Sequence, residues 1–271
     1  MKSFVREKRI YCGSEYMFPE IFQFSENRST SVRGRRKKKQ KETGPKQKDL
    51  NDARAKRYFL QLAHGNFGKS DLVVHLTFAD EYYPETPEEA MEILTKFLRR
   101  IAYERKRLKL PPLKYMAVIQ VGRKKDGTHR LHFHVLMNGG LDRDTVENMW
   151  WVHKGTKKNQ FKDRILYGWA NADRLRPNKK GISQMAGYMM LDSAGKKHWT
   201  QSQNLEFPWS RKNDSKYSRR EIQKICSIPE DCEDYLKYWE KQYPGYEYIS
   251  SERKYSDETG WSVYLMMRLR S

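Results

Sequence analysis

Apolar and polar residues alternate through Leu131-His132-Phe133-His134-Val135, placing Leu131, Phe133 and Val135 on one side and His132 and His134 on the other. That is the period of a strand. Tyr115 to Val121 is a second apolar run, and Gly122 to Thr128 reads as the hairpin loop between the two. Further upstream, Leu72 to Phe78 is another strand, and Tyr83-Pro84 ends it. Thr86-Pro87-Glu88-Glu89 then opens a helix with a cap residue, a first-turn proline and early acids. Its inward positions are Ile93, Phe97, Ile101 and, extending the stripe, Arg105; Pro111-Pro112 closes the unit. The order strand, helix, strand, strand predicts an α+β fold, with helices on one face of a largely antiparallel sheet.

The flanking pattern is less regular. Residues 1 to 57 show no core pattern, and Arg33-Gly34-Arg35-Arg36-Lys37-Lys38-Lys39 heads a basic tract reaching Lys48. Helical periodicity begins at Asp49 and runs to Leu62. It returns in a short helix from Asp142 to Trp151, where Trp150 and Trp151 suit packing. Ile165 to Leu175 predicts a short strand, and Gly181 to Leu191 a helix whose inward stripe is Ile182, Met185 and Met189, with Ala186 as a further candidate. Two more helices, Arg219 to Cys226 and Asp231 to Gln242, precede a closing strand pair, 246–255 and 260–270. The expected division is a basic, partly disordered N-terminal extension (1–57), a central domain (58–200) and a mixed helix and strand extension (201–271).

Charge narrows the partners. The 271 residues carry a formal net charge of +20 with a pI near 9.7, which points to a nucleic acid. No run of about 18 apolar residues suggests a membrane span, and Met1 to Glu7 lacks the apolar core of a signal peptide. Three cysteines, Cys12, Cys226 and Cys232, form no zinc or redox pattern and suit a reducing cytoplasm. Gly65-Asn66-Phe67-Gly68-Lys69-Ser70 resembles the end of a phosphate-binding loop, but its first glycine would fall at Ala63 and a strand follows where a helix is needed. Without an ATPase motif, duplex unwinding would fall to another protein.

Two imidazoles one residue apart on a strand can grip one divalent ion; they can also be surface decoration. A three-residue hairpin loop, Lys125-Asp126-Gly127, sets Gln120 opposite His132 and Val118 opposite His134, and makes the Gln120 amide oxygen a third ligand. A two-residue Asp-Gly turn would instead pair Gln120 with Phe133 and aim it away. In the downstream helix Gln184 and Tyr188 share a face; a single tyrosine there is ordinarily packing.

Taken together, these motifs resemble the HUH endonucleases: rolling-circle replication initiators, relaxases and single-strand transposases. Leu131-His132-Phe133-His134-Val135-Leu136 is similar to the strand that names the family. Gly187-Tyr188-Met189-Met190 stands where the family carries its nucleophilic tyrosine, and Val74-His75-Leu76-Thr77-Phe78 looks like its upstream strand. The resemblance spans roughly residues 70 to 200 and is nearest to replication proteins of small bacterial plasmids and phages. It implies a ferredoxin-like central sheet, Tyr188 as the nucleophile that forms a 5′-phosphotyrosine, and a metal held by His132, His134 and Gln120. The ligand set suits Mg²⁺ or Mn²⁺. The implied partners are single-stranded or hairpin origin DNA and a host helicase and polymerase, in a bacterial cytoplasm. Arg123, Lys124, Lys125 and Arg130 beside the hairpin, and Lys179 and Lys180 at the start of the tyrosine helix, are candidate phosphate contacts. His75 reads as structural and His129 as an ordinary loop histidine. The chain departs from the family in two respects. Leu191 and Asp192 stand where a lysine commonly follows the tyrosine, leaving Lys180 or Lys196 to supply that charge, and the third ligand is a neutral amide rather than Glu or His. A non-catalytic nucleic-acid-binding module is the alternative from a different class.

Overall fold

The computed structural model describes residues 3–25, 45–123, 129–154, 164–191 and 199–270. In chain order the elements are β1 (Ser3–Cys12), β2 (Tyr16–Ser25), α1 (Pro45–Asn66), β3 (Leu72–Leu76), α2 (Pro87–Arg107), β4 (Tyr115–Arg123) and β5 (His129–Met137). Then follow α3 (Arg143–Glu147), β6 (Trp151–His153), β7 (Ile165–Leu166), β8 (Ala170–Arg174), α4 (Ser183–Met189), β9 (Thr200–Gln201) and β10 (Trp209–Asn213). The last four are α5 (Arg219–Cys226), α6 (Glu233–Gln242), β11 (Tyr246–Ser256) and β12 (Gly260–Leu269). The fold is α+β, with every named strand pair antiparallel. No helix among the described residues is long and apolar enough to cross a membrane.

The chain forms two compact units, Asn66–Leu205 and Met1–Gly65 with Glu206–Ser271. The first holds a five-stranded sheet in the order β8-β3-β5-β4-β9, so the histidine strand lies at its centre. One face is apolar: Val74 and Leu76 of β3, Ala117 and Ile119 of β4, and Phe133 and Val135 of β5 are buried together. Helix α2 covers this face with Ile93, Leu94, Phe97 and Ile101. Each such fully buried side chain stabilises the fold by roughly 1.5–3 kcal/mol relative to exposure. The helix begins where the sequence signals it: the Thr86 side chain accepts from Glu89 N at 3.1 Å, with Pro87 in the first turn. Arg105 continues the inward stripe. It is buried, and its guanidinium donates to the carbonyls of Pro111, Asn138 and Gly139 at 2.8, 3.1 and 2.7 Å. Trp150 also belongs to this core, its indole N–H donating to Thr77 O at 2.8 Å. Helix α4 lies across the opposite, polar face, reached there by the Gln120 side chain. Helices therefore occupy both faces, not one as the order of elements suggested, because His132, His134 and Gln120 leave the second face in need of polar cover.

The second unit corrects the expectation for residues 1–57. β1 and β2 are long paired strands, and with β10, β11 and β12 they build one sheet in the order β10-β1-β2-β12-β11. Val5, Met17, Ile21, Val263 and Leu265 face α5 and α6, where Tyr235 and Trp239 are fully buried. The four consecutive charges Arg6-Glu7-Lys8-Arg9 hide this strand from a hydrophobic pattern. Glu7 in fact points inward and is 1% exposed. It accepts from Tyr243 Oη at 2.8 Å, Arg9 Nε at 2.9 Å and Lys216 Nζ at 3.1 Å. Tyr243 in turn accepts from Tyr217 Oη at 3.1 Å. Burial, with Tyr217 and Glu7 beside it, pushes the Tyr243 hydroxyl well above the usual phenol range, so it stays a donor. The sequence placed residues 1–57 and 201–271 apart as two extensions; much of both belongs to this one unit.

A carboxylate satisfied by three donors supports its surroundings only while it is present, and removing one partner of a buried charge network costs about 3 kcal/mol or more. Glu7→Ala is expected to lower the urea-unfolding free energy of this unit by about that amount. A loss below about 1 kcal/mol would mean that the network contributes little.

Candidate functional site

The polar face of the central sheet gathers side chains from three adjacent strands. The β4–β5 register sets Gln120 opposite His132 and Val118 opposite His134, as the longer hairpin loop requires. The β3–β5 register sets His75 opposite His134. The ring centroids of His132 and His134 are 4.9 Å apart, and those of His75 and His134 4.3 Å. From above, α4 brings the Tyr188 ring to 5.2 Å from His134, edge to face. Tyr188 is half exposed while His134 is 1% exposed, so the phenol stands between the buried His134 imidazole and solvent.

Gln120 fixes this arrangement. Its side-chain amide nitrogen donates toward the carbonyls of Tyr188, Met189 and Leu191, at 2.9, 2.9 and 2.5 Å. These carbonyls lie at and just beyond the end of α4; Tyr188 O also accepts from Leu191 N at 3.0 Å, and two N–H bonds of the amide are shared among the three. The amide oxygen, facing the other way, lies 3.1 Å from His132 Nε2. One side chain thus ties the tyrosine helix to the histidine strand. Gly122 makes room for this: a Cβ there would come within 3.0 Å of His132 Cε1 and 3.2 Å of Nδ1.

The donor chemistry fits a divalent ion. Both ring nitrogens of His134 are buried without a hydrogen-bond partner, an arrangement that costs on the order of 1–3 kcal/mol per unsatisfied group unless something binds there. If His132 Nδ1–H donates to Arg130 O, 3.4 Å away, its Nε2 lone pair faces the Gln120 oxygen, and a cation would separate the two acceptors. In the other tautomer Nε2–H donates to Gln120 directly. Two donors at right angles on an ion with bonds of about 2.1 Å stand about 3 Å apart, close to the spacing found. Among the described residues no group of three or more His, Cys, Asp or Glu side chains is arranged to hold a metal ion. The set here differs in that its third donor is an amide oxygen.

Burial, followed by the neighbouring imidazoles His75 and His132, pushes His134 down to about 3. Burial also lowers His132 and His75. All three are therefore neutral at pH 7, the form that binds metal or accepts a proton.

Beside Tyr188 is a cleft of about 620 Å³ whose lining includes His75, Arg174, Arg176, Asn178 and Gln184. His75, expected to be structural, is thus part of the site; its partner strand is distant in sequence and no local pattern announces the pairing. Arg174 and Arg176 were also missed, although their alternation in Asp173-Arg174-Leu175-Arg176 was a usable signal. Lys179 and Lys180 are exposed in the turn before α4 and do not line this cleft. Arg130 is engaged within the protein, 2.5 Å from Asp80 and over the Tyr83 ring. Lys124, Lys125, Asp192 and Lys196 lie outside the described residues, as do the side chains of Arg123 and His129.

Two outcomes follow from this geometry. Gln120→Glu keeps an oxygen beside His132 but removes the donor that α4 needs, and its charge meets carbonyl oxygens. Amide hydrogen exchange across 183–191 is expected to speed up at least tenfold, equivalent to about 1.4 kcal/mol of lost local protection; unchanged exchange would show that Gln120 does not anchor the helix. The folded-state value of His134 lies below the ordinary value of 6.5, so its contribution to stability is fully present above pH 6.5 and is lost as pH falls toward about 3. Thermal melts of His134→Gln against the parent should show a shallower fall across that window, and parallel curves would contradict the assignment.

No family model, no curated protein and no solved structure matches this chain.

Proposed function

We propose that the chain is a metal-assisted, single-tyrosine nickase of single-stranded DNA with the HUH arrangement on a ferredoxin-like sheet, acting as a rolling-circle replication initiator. The observation that carries this reading is the meeting of the Tyr188 ring with His134, 5.2 Å between centroids, on the face that also presents His132 and Gln120. A phosphodiester is anionic and repels nucleophiles. A divalent ion on His132, His134 and Gln120 would supply charge neutralisation at the scissile phosphate. The remaining work belongs to the chain. Tyr188 oxygen attacks phosphorus, the bond to the 3′-oxygen breaks, and the phenol proton ends on that oxygen as a 3′-hydroxyl. The product is a 5′-phosphotyrosine that the same hydroxyl can attack in reverse, so ends are rejoined without ATP. Neutral His75, lining the same cleft, is a group to which the phenol proton can pass. Arg174 and Arg176 provide positive charge where the strand would run. Gln120 holds Tyr188 at the working distance, which explains an amide where a carboxylate ligand is commoner: a carboxylate could not donate to α4. Relaxases and single-strand transposases share this chemistry; the resemblance of the motifs around His132, His134 and Tyr188 to those of plasmid and phage replication proteins favours replication.

The test uses labelled single-stranded oligonucleotides tiling the DNA around the gene, with Mn²⁺ or Mg²⁺. Mass spectrometry should find a nucleotide on the peptide containing Tyr188, and Tyr188→Phe should abolish the adduct, by at least a thousandfold in rate, while DNA binding is kept. An adduct that persists in Tyr188→Phe would remove this residue from its role. Binding that ignores EDTA, with no cleavage under any metal, would leave a nucleic-acid-binding module.

A further inference from the structure

In the unit formed by Met1–Gly65 and Glu206–Ser271, the sheet face turned away from α5 and α6 is only partly covered. Helix α1 packs along it: His64 sits against Tyr16 and Phe18, with centroids 4.7 and 5.5 Å apart, and Arg57 lies 3.9 Å over the Tyr264 ring. Beyond the edge of α1 the same face opens into a groove of about 800 Å³. Its floor carries Arg6 and Lys8 of β1, Phe22 and Phe24 of β2, and Lys212 of β10. Its wall is one stripe of α1, Arg54, Arg57, Tyr58 and Gln61, at the spacing that puts four side chains on one helix face.

Cations outnumber acids here. Glu20 and Glu258 are the acidic lining residues, against three arginines and two lysines. The Arg57 Nε is buried without a hydrogen-bond partner, the nearest Glu20 oxygen lying 3.8 Å away. No ion pair among the described residues engages Lys8 or Arg54. Aromatic rings alternate with these cations, and the Arg6 guanidinium is 3.8 Å over Phe24. Interleaved cations and rings in a concave slot suit an anionic backbone whose bases can stack. A duplex is read by parts that protrude into its grooves, which a concavity cannot do.

We infer that this groove binds single-stranded nucleic acid through its phosphates, as a second contact region separate from the tyrosine cleft. It does not depend on the nickase reading and holds whether or not Tyr188 reacts.

The probe is a fluorescent fifteen-nucleotide oligothymidylate, with the full chain in EDTA. Arg54→Glu with Lys212→Glu, both at exposed positions, is expected to weaken binding roughly tenfold and to reduce the salt slope by about 0.7 for each contact removed. Lys224→Glu with Lys241→Glu makes the same charge change on the helices of the other face and should cost far less. Acetylation footprinting of the unaltered protein adds a readout free of folding effects: the oligonucleotide should protect Lys8 and Lys212. Absence of either the weakening or the protection overturns the proposal, as does an equal loss in the control pair. A duplex that protects the same lysines equally well overturns the single-strand assignment.

Discussion

A single carboxamide holds the candidate site together. Gln120 donates toward three carbonyls at the end of α4 and turns its oxygen to His132. The buried side chains of α4 are Ala186 and Met189, with Ile182 just before it, on a helix of seven residues. So short a helix has little stability of its own. The placement of the phenol is therefore set by a polar bond network at a defined spacing rather than by apolar packing, which tolerates sliding.

This follows from how the sheet divides its labour. One face spends its side chains on a dry core with α2, and that core keeps β3, β4 and β5 in fixed register. The other face can then hold the unsatisfied imidazole nitrogens of His134 beneath the half-exposed Tyr188. Rigid backbone beneath and polar groups above is the arrangement in which weakly held ligands can be presented accurately. The groove on the second unit follows a looser logic: cations and rings spread over several strands, suited to tolerant contact with a polymer rather than to a reacting atom.

The hairpin and α2 were legible because their information is local: strict alternation in one, and a cap, a proline and a stripe in the other. The pairing of Gln120 with His132 could be counted once a loop length was chosen. Residues 3–25 were not legible, since Arg6-Glu7-Lys8-Arg9 puts charge on both sides of β1 and the inward carboxylate of Glu7 looks like a solvent position. The role of His75 was hidden for another reason. It depends on β3 lying beside β5, and that adjacency spans some 60 residues and leaves no mark in either segment. Arg174 and Arg176 were passed over for Lys179 and Lys180, which stand nearer to α4 in sequence yet point elsewhere.

The connection of β2 to β12 has a consequence for biogenesis. Ile21 pairs with Val263 and Met17 with Met267, so the early strands find that neighbour only after some 240 further residues have been translated. The Asn66–Leu205 unit contains all of its own strands and is complete on the ribosome long before then. Until β12 emerges, β2 exposes an unpaired edge with apolar side chains, the kind of surface that recruits chaperones or neighbouring nascent chains. The charges of Arg6, Glu7, Lys8 and Arg9, which disguise β1 in the sequence, would serve during that interval to keep the waiting hairpin from aggregating.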